Sequence, residues 1–342
     1  MLATPVEGSR RGLGAAQYTG RTTFVKVAPS SSPGQGRVLT SRTMSLRIEG
    51  TYTALATPLR DEPGQPIDWA ALDGLLEAQI AGGVTGLVPC GTTGESPTLS
   101  HEEHSAVVER TVKRVANRVQ VIAGAGSNST REAIGLAQHA DKVGADAVMV
   151  VVPYYNRPSQ EGLFRHFVEV ARSVRIPVVV YNIPGRTGVD LAPHTLARIC
   201  AEAPNVVAVK EASGNVLRTQ TLVQMLGGRL TILSGDDALT LAIIAAGGRG
   251  VISVTSNVLP AEVTRATRLA LDGKLDEARR AHLALVPVHE AMFLDASPGP
   301  VKVALSLRTG IKPAVRSPLC IPPESTRVAI AAALEAYARC EH

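Results

Sequence analysis

Short apolar runs alternate with helix-length stretches along the chain from about residue 50. Each run is rich in Val, Ile, Ala and Leu, and a turn of Gly, Pro, Ser or Thr separates it from the next helical stretch. Continuous apolar strands that alternate with helices predict a parallel sheet covered on both faces. Eight such repeats in about 210 residues predict a (β/α)8 barrel. The predicted strands are 51–58, 86–91, 119–126, 147–153, 178–184, 206–213, 230–236 and 250–257.

A doubly wound sheet is the alternative fold. It would carry a glycine fingerprint after its first strand, and "TPLRDEPG" at that position is not one. Helix starts support the barrel reading. Ser100 with Glu103, and Ser129 with Glu132, have the spacing of a capping box, in which a hydroxyl and a carboxylate satisfy free backbone N–H groups.

The chain divides into three predicted regions. Residues 1–48 are rich in Gly, Ser, Thr and Pro, have no hydrophobic period and are predicted to be disordered. Translation from Met44 is our preferred explanation of this segment, ahead of a transit peptide or a twin-arginine signal that lacks its apolar stretch. Residues 49–262 form the predicted barrel, and residues 263–342 contain further helical stretches, predicted as an appended C-terminal helical region.

The net charge of +5 comes from the N-terminal segment. Residues 1–48 carry seven basic side chains and one acidic one, which leaves 28 basic and 29 acidic residues in the remainder. The predicted barrel therefore lacks the clustered positive charge of a nucleic-acid-binding surface. No apolar run has the length of a membrane span, so we expect neither a nucleic-acid nor a membrane partner.

The four cysteines form no C-x-x-C pair and match no zinc template, which favours free thiols in a reducing cytoplasm. "HEEH" at 101–104 could supply half of a metal site, but no third ligand follows at a readable spacing. We therefore predict no metal.

Residues able to perform chemistry follow the predicted strands. Barrel enzymes build their active sites at the C-terminal ends of the strands, so we expect these side chains to meet at one mouth. They are Thr92 and Thr93 after strand two, Tyr154 and Tyr155 after strand four, Tyr181 and Arg186 at strand five, Lys210 at strand six, and Gly235 to Asp237 after strand seven.

Lys210 ends an apolar strand, "NVVAVKEASG". Burial disfavours an ammonium and lowers its pKa, and the neutral amine is a nucleophile that forms Schiff bases with ketones. The alternative is a lysine paired with a carboxylate. Glu211 is a poor candidate for that partner, because successive strand residues point to opposite faces.

Tyr181 and Arg186 extend this hypothesis. A phenol beside the lysine can move protons to and from the reacting carbonyl, although such a tyrosine could equally pack in the core. Arg186, in "YNIPGRTG", can bind a carboxylate in bidentate fashion or form a surface ion pair. The turn "GTTGES" offers N–H groups and hydroxyls to an anion, whereas Asp236 and Asp237 in "SGDDA" would repel phosphate. We predict a non-phosphorylated carboxylate substrate.

Six motifs in order, "GTTGES", "PYYNRPSQEG", "YNIPGRTG", "VKEASGN", "LSGDD" and "GVISVTSN", closely resemble the dihydrodipicolinate synthase family. That family belongs to the N-acetylneuraminate lyase superfamily of class I aldolases. The resemblance runs from about residue 48 to the C-terminus. Its details are similar to bacterial rather than plant members, which implies a cytoplasmic enzyme, with organellar targeting by residues 1–43 as the alternative.

The resemblance implies condensation of pyruvate with L-aspartate 4-semialdehyde, in lysine biosynthesis through diaminopimelate, with a covalent Schiff base and no cofactor. It further implies an obligate dimer, usually within a homotetramer, because the family supplies one site tyrosine across a subunit interface. By this resemblance Lys210 is implied to form the Schiff base, and Tyr181 to transfer protons that are relayed through Thr92 and the interface tyrosine Tyr155. Thr93 and Ile252 are implied to bind pyruvate, with Gly235 in the same site. Arg186 is implied to bind the semialdehyde.

The resemblance also implies a feedback site for lysine at the dimer interface. The matching positions are Ser96, His101, His104, Asn128, Glu132 and Tyr154. Two other functions stay open at this point. A sister aldolase or dehydratase acting on sialic acid or a 2-keto-3-deoxy sugar acid would keep the lysine and tyrosine but usually lacks the counterpart of Arg186. A non-catalytic binding protein would have lost the lysine, tyrosine or threonine, and all are present.

Overall fold

The computed structural model describes residues 46–340, and its eight strands close into a parallel barrel in the order of the sequence. β1 pairs with both β2 and β8, so the sheet has no edge and the doubly wound alternative is wrong. The predicted (β/α)8 barrel is confirmed. The strands are β1 (Gly50–Ala54), β2 (Gly86–Val88), β3 (Gln120–Gly124), β4 (Ala147–Val151), β5 (Val178–Asn182), β6 (Val206–Glu211), β7 (Thr231–Ser234) and β8 (Gly250–Ser253).

Helices cover the outside of the barrel and continue beyond the last strand. They are α1 (Trp69–Ala81), α2 (His101–Val115), α3 (Thr130–Val143), α4 (Gln160–Arg172), α5 (Pro184–Thr187), α6 (Pro193–Glu202), α7 (Val216–Leu226), α8 (Thr240–Ala245), α9 (Pro260–Leu271), α10 (Leu275–Ala291), α11 (Gly299–Thr309) and α12 (Glu324–Arg339).

The predicted strands run past the observed strand ends. β8, for example, ends at Ser253, and residues 255–257 form a short 3-10 turn instead of a strand. Backbone N–H groups of Val254 and Thr255 donate to the buried carboxylate of Asp237 rather than to a neighbouring strand. A side-chain acceptor at the barrel mouth therefore ends β8 earlier than the apolar pattern suggests.

Valine, alanine and leucine fill the core, and one tyrosine closes the base of the barrel. Tyr52 is buried, and its phenol donates to Gln120 Oε1 at 2.6 Å. Thr53 bonds outward to Gln79 on α1, so its neighbour Tyr52 faces the barrel interior. A Cβ at Gly86 would stand 2.7 Å from the Tyr52 ring, so only glycine leaves room for this aromatic plug.

Of the two predicted capping boxes, one is confirmed and one is wrong. Ser100 and Glu103 satisfy each other's backbone N–H groups at the start of α2. Ser129 caps α3 without a side-chain hydrogen bond. Its N–H donates to the Ser127 hydroxyl, and Ser127 also bonds the Glu132 carboxylate, so the local turn removes Glu132 from the cap.

The helical C-terminal region predicted from the sequence contains α10, α11 and α12. The proposed boundary at 262/263 falls inside α9, which packs against β1 and β8 as the eighth barrel helix. Of the segment predicted to be disordered, residues 1–45 lie outside the described residues, and Ile48 is buried in the core. No helix within residues 46–340 is long and apolar enough to cross a membrane.

Candidate active site

Lys210 and Tyr181 stand side by side at the C-terminal ends of β6 and β5. Their Cα atoms are register partners between the two strands. The ammonium nitrogen of Lys210 lies 4.2 Å from the centroid of the Tyr181 ring, and both side chains are at least 95% buried. The adjacency expected from strand order is therefore present, and it places an amine and a phenol side by side in a buried site.

Burial lowers the pKa of Lys210 to about 8. The carboxylate of Asp237 opposes this effect and the guanidinium of Arg186 reinforces it. An unperturbed lysine titrates near 10.4, so a far larger share of this amine is neutral at physiological pH. The environment of Lys210 therefore favours a nucleophilic amine.

Gly235 makes room for the lysine side chain. A Cβ at this position would stand 3.1 Å from both Cγ and Cε of Lys210 and 2.6 Å from the Cβ of Ala212. A side chain at this position would clash with Ala212 and press on the aliphatic part of Lys210. The structure therefore gives Gly235 a steric role beside Lys210.

Glu211 turns away from Lys210, as strand alternation predicts. Its carboxylate accepts from Arg218 Nε at 2.7 Å and from the backbone N–H of Ser213 at 2.8 Å. Arg218 also bonds Asp190, which accepts from the Asn182 amide. The prediction that Glu211 is not the partner of Lys210 is confirmed, because its charge is satisfied outside the barrel.

A cavity of about 200 Å³ opens beside Tyr181 at this mouth. Five of the residues singled out from the sequence line it: Thr92, Ser96, Tyr154, Tyr181 and Arg186. The remaining lining includes Cys90, Gly91, Pro97, Gly124, Gly126, Met149, Val151, Ile183 and Thr187. Thr93 and Ile252 are buried, Ile252 within β8. Apolar walls with a few convergent polar groups are typical of a small-molecule site.

Tyr181 keeps its proton across the physiological range. Burial raises its pKa to about 12, while a hydrogen bond with the Thr92 side chain and the charge of Arg186 oppose the rise. The phenol can therefore donate a proton, and Thr92 is the group that can accept from it or replenish it.

Like Lys210, Thr93, Gly235 and Ile252, Tyr155 does not line the cavity. Its side chain is 89% exposed, and its backbone adopts a left-handed φ of +68°. Its neighbour Tyr154 lines the cavity instead. A large aromatic held outward in this way is available to a second molecule rather than to its own barrel.

Polar groups on α2, α3 and the loop after β4 converge next to the cavity. His101 Nε2 lies 2.6 Å from Glu132 Oε1, and Ser127 bonds the other carboxylate oxygen. Burial raises the pKa of Tyr154, and the nearby charge of Glu132 adds to the rise. His104 is buried, and burial lowers its pKa to about 4, so its ring is neutral at physiological pH.

Comparison with known proteins agrees with this geometry. Residues 47–337 match the model of the family described as dihydrodipicolinate synthetase. The chain belongs to the dihydrodipicolinate synthetase family. A 4-hydroxy-tetrahydrodipicolinate synthase of Sorangium cellulosum is 57% identical over 84% of this chain and 96% of its own length.

Solved members of the dihydrodipicolinate synthetase family share the fold. The 4-hydroxy-tetrahydrodipicolinate synthase of Methylacidiphilum fumariolicum SolV matches with a TM-score of 0.83 and 46% identity, over 85% of this chain and 96% of that chain. The enzyme of Acinetobacter baumannii, solved in complex with pyruvate, matches with a TM-score of 0.83 and 39% identity, over 85% of this chain and 99% of that one.

Two features of this family member escaped the sequence reasoning. Asp237 was placed at the mouth and predicted to repel phosphate, but its electrostatic action on Lys210 was not predicted. Glu95, inside "GTTGES", forms a buried ion pair with Lys302 on α11. A lone lysine within the apolar helix "GPVKVALSL" was the available signal, but nothing in the sequence names a partner 207 residues away.

Proposed function

We propose that this protein condenses pyruvate with L-aspartate 4-semialdehyde to 4-hydroxy-tetrahydrodipicolinate, in lysine biosynthesis through diaminopimelate. It is a lyase that works through a covalent lysine adduct. The observation that carries this conclusion is Lys210, buried at the end of β6 with a pKa of about 8 and in contact with Tyr181. The Lys210 amine activates the ketone itself, and we assign no further cofactor.

The first step joins pyruvate to the enzyme. The neutral Lys210 amine attacks C2 of pyruvate, and a C–N bond forms as the carbonyl oxygen takes a proton from Tyr181. Loss of that oxygen as water leaves the Schiff base. Thr92 and Tyr155 return the proton to Tyr181, and Thr93, Ile252 and Gly235 enclose the pyruvate.

The second step forms the carbon–carbon bond. The Schiff base loses a proton from C3 of pyruvate, and the resulting enamine attacks the aldehyde carbon of the semialdehyde. Arg186 lines the cavity, and no residue within 46–340 forms an ion pair with it. Its guanidinium is therefore free to bind the semialdehyde carboxylate.

The third step releases the product. The amine of the semialdehyde portion attacks the Schiff-base carbon, displaces the Lys210 nitrogen and closes the ring. One water leaves over the whole sequence, and Lys210 returns as a free amine. This balance requires neither an oxidant nor an external reductant.

The decisive experiment combines an activity assay with adduct trapping. We expect turnover with pyruvate plus L-aspartate 4-semialdehyde, and borohydride reduction with pyruvate should leave one pyruvyl group on Lys210. Lys274→Ala, at an exposed lysine, is the matched control and should trap normally. Activity with sugar aldehydes alone would contradict the proposed substrate and favour a sister aldolase, and an unmodified Lys210 would contradict the mechanism.

We also propose that Tyr155 acts in the site of a neighbouring subunit, within a homotetramer built as a dimer of dimers. Its 89% exposure supports this role. Co-expression of Tyr155→Phe and Lys210→Met chains tests it. Mixed dimers should recover activity, because one site then has its own Lys210 and the neighbour's Tyr155. If Tyr155 acts within its own chain, every mixed site stays defective and no activity returns.

Lysine is the proposed feedback inhibitor. The convergence of His101, Glu132 and Tyr154 beside the cavity supports a site for its amino and carboxylate groups, together with Ser96, His104 and Asn128. Assays with and without lysine decide this point, and a rate that lysine leaves unchanged would contradict it. A cytoplasmic location stays a prediction, which fractionation of the source cells would test.

A further inference from the structure

A buried ion pair connects the C-terminal region to the "GTTGES" turn at the barrel mouth. The Lys302 ammonium on α11 bonds one carboxylate oxygen of Glu95 and donates to the carbonyl of Ala314 at 2.7 Å. The other Glu95 oxygen accepts from the backbone N–H of Arg316 at 2.9 Å. Glu95 and Lys302 are 2% and 1% exposed, so the pair is shielded from solvent.

Arg316 fastens the same C-terminal segment to the barrel from the outside. Its guanidinium donates to both oxygens of Glu103 at 2.6 Å, which is a bidentate pairing. It also donates to the carbonyls of Thr98 and Gln65 at 2.9 Å. The loops after β1 and β2 are therefore tied to one arginine that lies more than 200 residues further along the chain.

The turn held by these contacts is short and conformationally restricted. The N–H of Glu95 donates to the carbonyl of Thr92 at 3.1 Å, and the N–H of Gly94 donates to Gly91 at 3.1 Å. Glu95 itself has a left-handed φ of +55°, which is uncommon for a residue with a side chain. Moving the Glu95 carboxylate would therefore move Thr92, which stands in the same hydrogen-bonded turn.

We propose that Lys302 and Arg316 are positioning residues for the turn 91–96. Lys302 holds the turn through Glu95, and the Arg316 side chain anchors the segment whose backbone N–H bonds Glu95, so that Thr92 stays beside Tyr181. The inference rests on the proposed proton relay through Thr92 and Tyr181. Lys302 is buried against Glu95 and Ala314, and the Arg316 guanidinium bonds Glu103, Thr98 and Gln65, so neither side chain is placed to touch the substrate. Both act on the reaction through the turn.

The chemistry of the Glu95–Lys302 pair indicates that it orients the turn 91–96 and does not merely stabilise the fold. Taking two charges out of water costs energy, and an apolar pair of similar volume often stabilises a fold as well or better. An apolar pair makes no hydrogen bonds, however, so it cannot fix the orientation of the turn as two hydrogen-bonded carboxylate oxygens do. Glu95 uses both of its oxygens, one for Lys302 and one for Arg316.

The test is the double variant Glu95→Gln with Lys302→Met, which removes both charges and leaves no unpaired ion. We expect it to fold and to trap pyruvate on Lys210 to the full extent at the end point, while kcat falls by about tenfold to a hundredfold, the range of a small misplacement of catalytic groups. Val303→Ala is the matched control. Val303 is a buried apolar residue on the same helix, so this variant loses stability without touching Glu95 and should keep its kcat.

Each outcome decides the inference. A folded double variant with the kcat of the parent enzyme overturns it. If the double variant does not fold, Arg316→Gln decides instead, because it leaves the buried pair intact and removes the guanidinium contacts with Glu103, Thr98 and Gln65 that anchor the segment bonded to Glu95. A clear loss of kcat with normal trapping supports positioning, and an unchanged kcat overturns it. Thr92→Val and Tyr181→Phe are measured in parallel: if both keep full activity, the proposed relay itself is wrong.

Discussion

Two buried lysines in one chain have opposite surroundings. Lys210 lies in the barrel mouth and Lys302 on α11, and they are 5% and 1% exposed. Lys302 bonds the Glu95 carboxylate directly. Within residues 46–340 no carboxylate forms an ion pair with Lys210, and the nearest aromatic face, that of Tyr181, lies against its nitrogen.

The difference lies in how each carboxylate is used. Burial lowers the pKa of both lysines, and a carboxylate opposes the effect in each case. Glu95 does so through a hydrogen bond to Lys302, which fixes the cation in place. Asp237 acts on Lys210 by its charge, while one of its oxygens accepts from Val254 and Thr255. Similar burial therefore accompanies an ion-paired lysine in one case and, in the other, a lysine without a direct carboxylate partner whose pKa is about 8.

Lys210→Met should have the largest effect of the variants that test this comparison between the two lysines. We expect kcat to fall by roughly 10⁴-fold or more, because the covalent route is lost, and no adduct should be trapped. Unfolding in denaturant should show unchanged or greater stability, since an apolar side chain replaces a buried amine without an ion-pair partner. A variant that keeps its activity, or that unfolds much more easily, would show that Lys210 is a structural lysine.

The same substitution at Lys302 should have the reverse pattern. Lys302→Met leaves the Glu95 carboxylate buried and unpaired, which lowers the free energy of unfolding by about 3–5 kcal/mol. Under conditions in which the variant is folded, borohydride should still trap pyruvate on Lys210. Denaturant titration gives the stability, and a loss below about 1 kcal/mol would contradict the assignment of a tightly coupled pair.

Asp237→Asn should have the smallest effect of the three variants, and it tests how the Asp237 charge acts on Lys210. The Asp237 charge raises the pKa of Lys210, so its removal should lower that pKa below the present value of about 8. Only the neutral amine attacks pyruvate, and the rate of adduct formation rises as pH increases through this pKa. The acidic limb of that rate profile should therefore move to lower pH.

Asp276→Asn, at an exposed carboxylate on α10, is the control for the Asp237 variant and should leave the profile in place. Asparagine still offers an oxygen to the Val254 and Thr255 N–H groups, so the local turn should be retained. A limb that stays fixed or moves to higher pH in Asp237→Asn would contradict an electrostatic role for this carboxylate.

Strand order made part of the site predictable. Lys210 and Tyr181 end successive strands of a parallel barrel, so their adjacency followed once eight strands were recognised. Glu211 could likewise be assigned outward, because alternation along a strand is local. The second capping box failed because the sequence shows Ser129 and Glu132 but does not show that Ser127 competes for the carboxylate.

The sequence alone determined the barrel and the mouth at which the polar side chains gather, and it predicted Lys210 as the nucleophile, because hydrophobic period and strand-end position are properties of neighbouring residues. Only the tertiary structure decided which charges face each other. The pairing of Glu95 with Lys302 and the action of Asp237 on Lys210 join distant segments, and Tyr155 points away from its own barrel. Electrostatic interactions depend on distance and burial in space, which a local pattern does not contain.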